Sequence, residues 1–247
     1  MRFNLVAHRG YSEAYPENTL ESVGAAIECG ATAVEFDIQL TADHVPVVCH
    51  DDSLKRTGET RQSILDSRYA EIEGAVVGES RRFGDRFEGV RLPSLAQMVE
   101  RLLSYPRVTV FAEIKLETMQ RFDFEAVTAS ILPVLAPLQG RCVLISDDLD
   151  GLLHLREQGD FPIGWIIHRW TTKDRQQAES ATPDYLVVNH KYLPDVTEPL
   201  WPGPWQWVVY HTDDPDKARS LNNMGVEYVE TNDICPMLEV LGGELVP

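Results

Sequence analysis

Short apolar runs rich in β-branched residues recur along the chain, separated by stretches whose apolar residues fall three and four apart. The runs are Leu5 to His8, Ala33 to Leu40, Val108 to Lys115, Cys142 to Ser146, Ile163 to His168, Tyr185 to Asn189, Trp207 to His211 and Glu227 to Thr231. Helical spacing predicts helices over Ser94 to Leu103, Phe124 to Leu135, Leu149 to Gln158, Lys173 to Ser180, Pro215 to Asn223 and Pro236 to Leu241. A further helix lies between the first two strands. Asn18 is placed to cap it with Glu21 three residues on, Leu20, Val23 and Ile27 share its face, and Gly30 stops it. Strand and helix in alternation predict a parallel β/α architecture. Eight strands in 247 residues match one (β/α)8 TIM barrel, for which roughly 250 residues are typical.

Two segments break the alternation. Val45 to Cys49 follows the second strand after the short polar turn Thr41 to His44, too short for a crossover helix, so it should fold back as a hairpin and return His50 to the barrel mouth. Residues Asp51 to Arg91, polar and containing glycine, then form a small insertion within a single domain spanning 1–247. In the sixth connection, Pro194, Pro199, Pro202 and Pro204 allow at most a short helical piece.

Composition narrows the partners. With 22 Lys plus Arg against 39 Asp plus Glu, a net charge of -17 repels nucleic acid and anionic bilayers, so a bound anion needs local positive charge. Cys29, Cys49, Cys142 and Cys235 form no C-x-x-C pair and are expected to be buried free thiols. Met1 to His8 lacks the apolar core of a secretory leader, and no run reaches the roughly 18 apolar residues of a membrane span. A soluble cytoplasmic protein without stable membrane association is expected; the sequence sets no oligomeric state.

In such barrels the chemistry sits at the C-terminal ends of the strands. The first strand ends in His8-Arg9-Gly10, the second contains Glu35 and Asp37, and the third ends in Glu113-Ile114-Lys115. Residues two apart on a strand share a face, so Glu35 pairs with Asp37 and Glu113 with Lys115. Facing inward, three carboxylates converge beside one ammonium, an arrangement that a divalent cation relieves. All-oxygen donors suit Mg²⁺, Ca²⁺ or Mn²⁺ better than zinc. His8 and His50 come to the same rim with side chains that titrate near neutral pH, while Arg9 offers a planar fork for phosphate oxygens and Lys115 a compact second charge.

In order along the chain, His8-Arg9-Gly10, Pro16-Glu17-Asn18-Thr19, Glu35-x-Asp37, Thr41-x-Asp43 with Val47-Val48-Cys49-His50-Asp51 and Arg56-Thr57, Leu92-Pro93-Ser94-Leu95, and Glu113-Ile114-Lys115 resemble the signature of the glycerophosphodiester phosphodiesterase family. The second half agrees mainly in its strand and helix rhythm, with Gly164-Trp165 and Gly225-Val226 as local echoes. The resemblance implies one divalent cation on Glu35, Asp37 and Glu113, a catalytic pair in His8 and His50, and phosphate contacts from Arg9 and Lys115. It also implies cleavage of small glycerophosphodiesters to sn-glycerol 3-phosphate and an alcohol, with residues 51–91 as the insertion that covers the barrel mouth. Departures fall on the substrate wall: Tyr210-His211-Thr212 replaces a Trp-Thr pair, Thr231-Asn232 replaces Thr-Asp, and His44 replaces a turn glycine. Tyr210 can still offer substrate an aromatic face and a hydroxyl. Two other readings are a related barrel phosphodiesterase acting on lysophospholipids or phosphoinositides, and a non-catalytic phosphate-binding module.

Overall fold

Apolar residues at every second position make one face of each strand bury against helices and the other fill a closed lumen. In the computed structural model, which describes residues 3–194 and 199–242, the strands are β1 (Asn4–Ala7), β2 (Ala33–Leu40), β3 (Pro46–Val48), β4 (Thr109–Ile114), β5 (Cys142–Ser146), β6 (Ile163–Ile167), β7 (Tyr185–Asn189), β8 (Gln206–Tyr210) and β9 (Tyr228–Thr231). All but β3 pair in parallel around a ring that closes where β1 meets both β9 and β2. β3 runs antiparallel on β2, with Ile38 opposite Val48 and Leu40 opposite Pro46, which is the expected hairpin.

The helices are α1 (Leu20–Glu28), α2 (Tyr69–Ile72), α3 (Ser80–Phe83), α4 (Leu95–Leu103), α5 (Leu116–Arg121), α6 (Phe124–Leu135), α7 (Leu149–Gln158), α8 (Thr172–Ala181), α9 (Pro215–Asn223) and α10 (Ile234–Leu241). The cap of α1 differs from the expectation. Thr19 and Ser22 form the capping box, one residue later than Asn18 and Glu21. Asn18, at φ +58, turns its side chain to Asp37 instead. In the sixth connection, residues 195–198 lie outside the described ones, and its described parts carry no helix.

Val6, Phe111, Val143, Ile145, Ile166, Val187 and Val208 fill the lumen, with Tyr185 and Tyr228 meeting Phe111 edge-on. Gly164 belongs to this layer because a Cβ there would lie 2.8 Å from Ile145 Cγ2 and 3.2 Å from Tyr185 Cβ. The larger apolar set, including Leu5, Val34, Phe36, Ile38, Met98, Leu102 and Ile131, packs strands against helices. The insertion has its own small cluster of Leu54, Ile64, Ile72, Val77 and Val90, packed behind β3 through Val47 and Cys49.

The cysteine expectation is corrected in part. Cys49 and Cys142 are buried and free, whereas Cys29 and Cys235 form a disulfide across 206 residues, with Cα atoms 5.7 Å apart. The bridge joins the end of α1 to α10, which are neighbours because β1 and β9 are neighbours.

Candidate active site

Lumen-facing parity carries polar residues to the mouth as each strand ends. A cavity of about 210 Å³ opens there, lined by His8, Arg9, His50, Glu113 and Lys115 from the first half of the chain and by Asp147, His168, Asn189, Tyr210, His211 and Glu230 from the second. Its floor is apolar, formed by Ile145, Ile166 and Val187.

After β1 the chain turns sharply, Arg9 at φ +55 and Gly10 at φ +78. Only glycine fits the second position, since a Cβ at Gly10 would stand 2.5 Å from Ser22. The turn aims the backbone N–H of Arg9 at Glu35 Oε2, 2.9 Å away. Glu35 and Asp37 are each 1% exposed. Asn18 clamps Asp37 from both sides, its Nδ2 donating to Oδ2 at 2.7 Å and its Oδ1 accepting from the Asp37 N–H at 3.0 Å. Lys115 Nζ lies 3.4 Å from Asp37 Oδ1 and in close contact with Glu113 Oε1. Oxygens of Glu35, Asp37 and Glu113 come within 4.8 Å of one another. Glu35 Oε1 and Asp37 Oδ1 are buried without a hydrogen-bond partner.

Burial and the neighbouring Asp37 push the Glu35 carboxyl well above its usual range and that of Glu113 up to about 7. Burial acts the same way on Asp37, but Arg9 and Lys115 outweigh it and hold that carboxyl down. These acids fit a hard divalent cation: the donors are all oxygen, two of them without a hydrogen-bond partner, and burial beside Asp37 disfavours ionisation of Glu35 and Glu113 until further positive charge arrives. A second convergent group, His8, Glu35 and Glu230, shares Glu35 with the first.

The two histidines differ in their partners. His8 is 9% exposed, its Nδ1 lies 2.8 Å from the neutral amide oxygen of Asn232, and its ring stacks on His211 with centroids 4.9 Å apart. Burial first, then Arg9, pushes its pKa down to about 3. His50 is more open, and its Nδ1 lies 2.6 Å from a carboxylate oxygen of Asp51. Arg9 is engaged with Glu17 at 2.9 Å and lies 3.2 Å from Asp37 without good hydrogen-bond alignment. Tyr210 ends β8 and lines the same cavity.

The structure therefore brings His8, Arg9, Glu35, Asp37, His50, Glu113, Lys115 and Tyr210 to one mouth. Sequence reasoning did not single out Asn18, Glu230, Asn232, His211 or the closely paired Asp147 and His168 as site residues. Strand parity could have found Glu230, which is two residues after Tyr228 on the lumen face of β9. Nothing local marks Asn232 as the partner of a histidine 224 residues away.

The family model for the glycerophosphoryl diester phosphodiesterase family matches residues 8–235. Glycerophosphodiester phosphodiesterase 1 of Rattus norvegicus is 34% identical over 114 residues, 46% of this chain and 34% of that protein. A glycerophosphodiester phosphodiesterase of Caldanaerobacter subterraneus is 38% identical over 100 residues, 40% of each chain. The alignments thus span well under two thirds of these relatives' length. Among solved structures, an Oleispira antarctica phosphodiesterase in complex with its product sn-glycerol-3-phosphate superposes with a TM-score of 0.85 at 23% identity, covering 97% of this chain and 96% of that one. A glycerophosphodiester phosphodiesterase from Parabacteroides distasonis gives 0.78 at 22% identity, covering 98% and 99%. At these identities the structural likeness speaks for the fold.

Proposed function

The chain belongs to the glycerophosphoryl diester phosphodiesterase family, and from that premise we propose that it hydrolyses small glycerophosphodiesters to sn-glycerol 3-phosphate and an alcohol. The observation that carries this reading is the convergence of buried Glu35 and Asp37 with half-buried Glu113, two of whose oxygens lack a hydrogen-bond partner, at the mouth that His8 and His50 line. Glu35, Asp37 and Glu113 would hold one divalent cation, Mg²⁺ or Ca²⁺ with Mn²⁺ as a further fit. When bound, such a cation supplies positive charge against the phosphodiester oxygens.

Arg9 and Lys115 add to that charge and orient the phosphate. His8, unprotonated at neutral pH and carrying its Nδ1 proton toward Asn232, presents Nε2 to take the proton of the attacking oxygen. That oxygen belongs to water or to the substrate's own neighbouring glycerol hydroxyl. The anionic phosphate raises the basicity of this ring as it arrives. His50, backed by the carboxylate of Asp51, is the partner suited to carry a proton to the leaving alkoxide. Tyr210, at the end of β8, offers its ring and hydroxyl to the alcohol or glycerol group.

A small polar substrate fits better than a lysophospholipid or phosphoinositide at a bilayer. The cavity is about 210 Å³. Among the described residues the exposed large hydrophobics are Leu103, Tyr192 and Val240, scattered over separate elements with no apolar rim. No helix among them is long and apolar enough to cross a membrane. A non-catalytic module would require loss of a site residue, and His8, Arg9, Glu35, Asp37, His50, Glu113 and Lys115 are all present. The cytoplasmic location expected from the sequence stands against the Cys29–Cys235 bridge, since such cross-links persist outside reducing compartments.

Coupled detection of glycerol 3-phosphate from a panel of glycerophosphodiesters, with and without chelator, tests the activity. His8→Ala should damage turnover of glycerophosphocholine and of a p-nitrophenyl diester alike. His50→Ala should spare the activated diester, whose phenolate departs without a proton. Turnover without metal, or rescue of neither variant by the activated substrate, refutes the scheme.

A further inference from the structure

Glu17, Asp51 and Arg56 fall within the sequence signature, yet the scheme above gives Glu17 and Arg56 no part and uses Asp51 only to back His50. Arg56 sits in the insertion and does not line the cavity. Four of its five N–H donors are engaged: Nε and NH2 donate to the two oxygens of Asp51 at 2.8 and 3.0 Å, and NH1 and NH2 donate to the two oxygens of Glu17 at 2.6 and 2.8 Å. Each carboxylate also touches the machinery. Asp51 holds His50 Nδ1 at 2.6 Å, and Glu17 accepts from Arg9 NH1 at 2.9 Å.

We propose that Arg56 is a positioning residue that ties the proton carrier His50 to the phosphate-binding Arg9 through Asp51 and Glu17. The proposal rests on the roles assigned to those two residues above. The chain His50, Asp51, Arg56, Glu17, Arg9 joins the end of the β2–β3 hairpin to the turn after β1, two segments that backbone pairing between β1 and β3 does not connect. Its anchors are firm. Glu17 is 8% exposed, and its N–H donates to Glu79 Oε1 at 2.7 Å. Glu79 is itself 4% exposed and paired with Arg82 at 2.8 Å.

Only a planar fork can grip two carboxylates edge-on at once; an ammonium at the same place would serve one and release the other. Released, Asp51 no longer fixes which ring nitrogen of His50 carries the proton, and Glu17 closes on Arg9 as its remaining cation. Arg56 has a side chain 43% exposed, so replacing it leaves no hole in the core.

The test uses the metal-loaded full chain with Arg56→Lys, Arg56→Ala, Asp51→Asn and the Asp51→Asn/Arg56→Ala double variant, each checked for an unchanged melting temperature. Turnover of glycerophosphocholine should fall by about 100-fold in Arg56→Ala, the scale of a roughly 1 Å misplacement. Arg56→Lys should recover little of it. The p-nitrophenyl diester should lose much less. The double variant should be no worse than the worse of its two parents within about threefold, because both changes cut one chain. Independently of turnover, nitrogen-15 imidazole spectra should show a single Nδ1–H form of neutral His50 in the unmutated protein and a mixture in Arg56→Ala and Arg56→Lys.

An unchanged His50 spectrum in both Arg56 variants overturns the proposal, as does multiplication of the two losses in the double variant. Should either alanine variant unfold, Arg56→Lys and the spectra decide. If the unmutated protein turns over no glycerophosphodiester, the proposed function fails while the spectra still judge the link between Arg56 and His50.

Discussion

Glu230→Gln probes the charge balance beneath the cavity. Glu230 is 2% exposed and its Oε1 has no hydrogen-bond partner. Burial, then Glu113 and Asp37, pushes its carboxyl from 4.5 up to about 8. A proton held more tightly in the folded state stabilises the fold fully below pH 4.5, and that contribution is lost as pH rises through about 8. At about 1.4 kcal/mol for each tenfold in proton affinity, moving this carboxyl from 4.5 to about 8 sets an upper limit of roughly 5 kcal/mol. That is a large share of the roughly 5–15 kcal/mol by which a domain is stable. Glutamine keeps the shape and cannot ionise. In urea unfolding with chelator present, the variant should nearly match the unmutated protein near about pH 5 and exceed it by about 2–4 kcal/mol near about pH 8. Adding a divalent cation should shrink the difference by supplying the missing charge. A stability difference that stays constant across that range, or that favours the unmutated protein at the alkaline end, refutes the electrostatic account of this site.

Chelation and dialysis should abolish activity, with Mg²⁺, Mn²⁺ or Ca²⁺ restoring it, and Glu35→Gln, Asp37→Asn and Glu113→Gln should each weaken cation binding measured by calorimetry. Asn18→Ala, which frees Asp37 from its clamp, should weaken that binding by about 10- to 100-fold, and unchanged affinity would show that Asp37 needs no orienting partner. Arg9→Lys keeps the charge but loses the fork, so kcat/KM should fall by at least about tenfold on every substrate; an unchanged value would leave Arg9 with the structural task of pairing Glu17 and Asp37. Cys29→Ser should cost about 2–4 kcal/mol and several degrees of melting temperature, matched by reductant treatment of the unmutated protein; equal melting temperatures with and without reductant would mean the bridge contributes nothing.

The strand and helix pattern was legible because each element is specified within its own few residues. Alternation assigns Glu35 and Asp37 to one face of β2 whatever surrounds them, although the register that sets Glu113 of β4 beside Asp37 is tertiary, and a proline at Pro215 or a glycine at Gly30 acts locally. The first half of the site, from His8 to Lys115, was readable for the same reason: its residues sit at the ends of recognisable strands and of one hairpin. Local rules also mislead where a side chain has two possible partners. Asn18 is a good helix cap by type, but the buried Asp37 carboxylate claims it, and Thr19 takes the cap one position later.

Only closure of the barrel decided the rest. Setting β9 beside β1 brings Glu230 and Asn232 to His8, and β8 carries His211 into stacking contact with it. The same closure lays α10 against the end of α1, so that Cys29 meets Cys235. These partners are about 200 residues apart or more. Periodicity and turn chemistry act over a few residues, so a sequence specifies which side chains point inward, while which inward side chains meet depends on the ring that all eight strands form together.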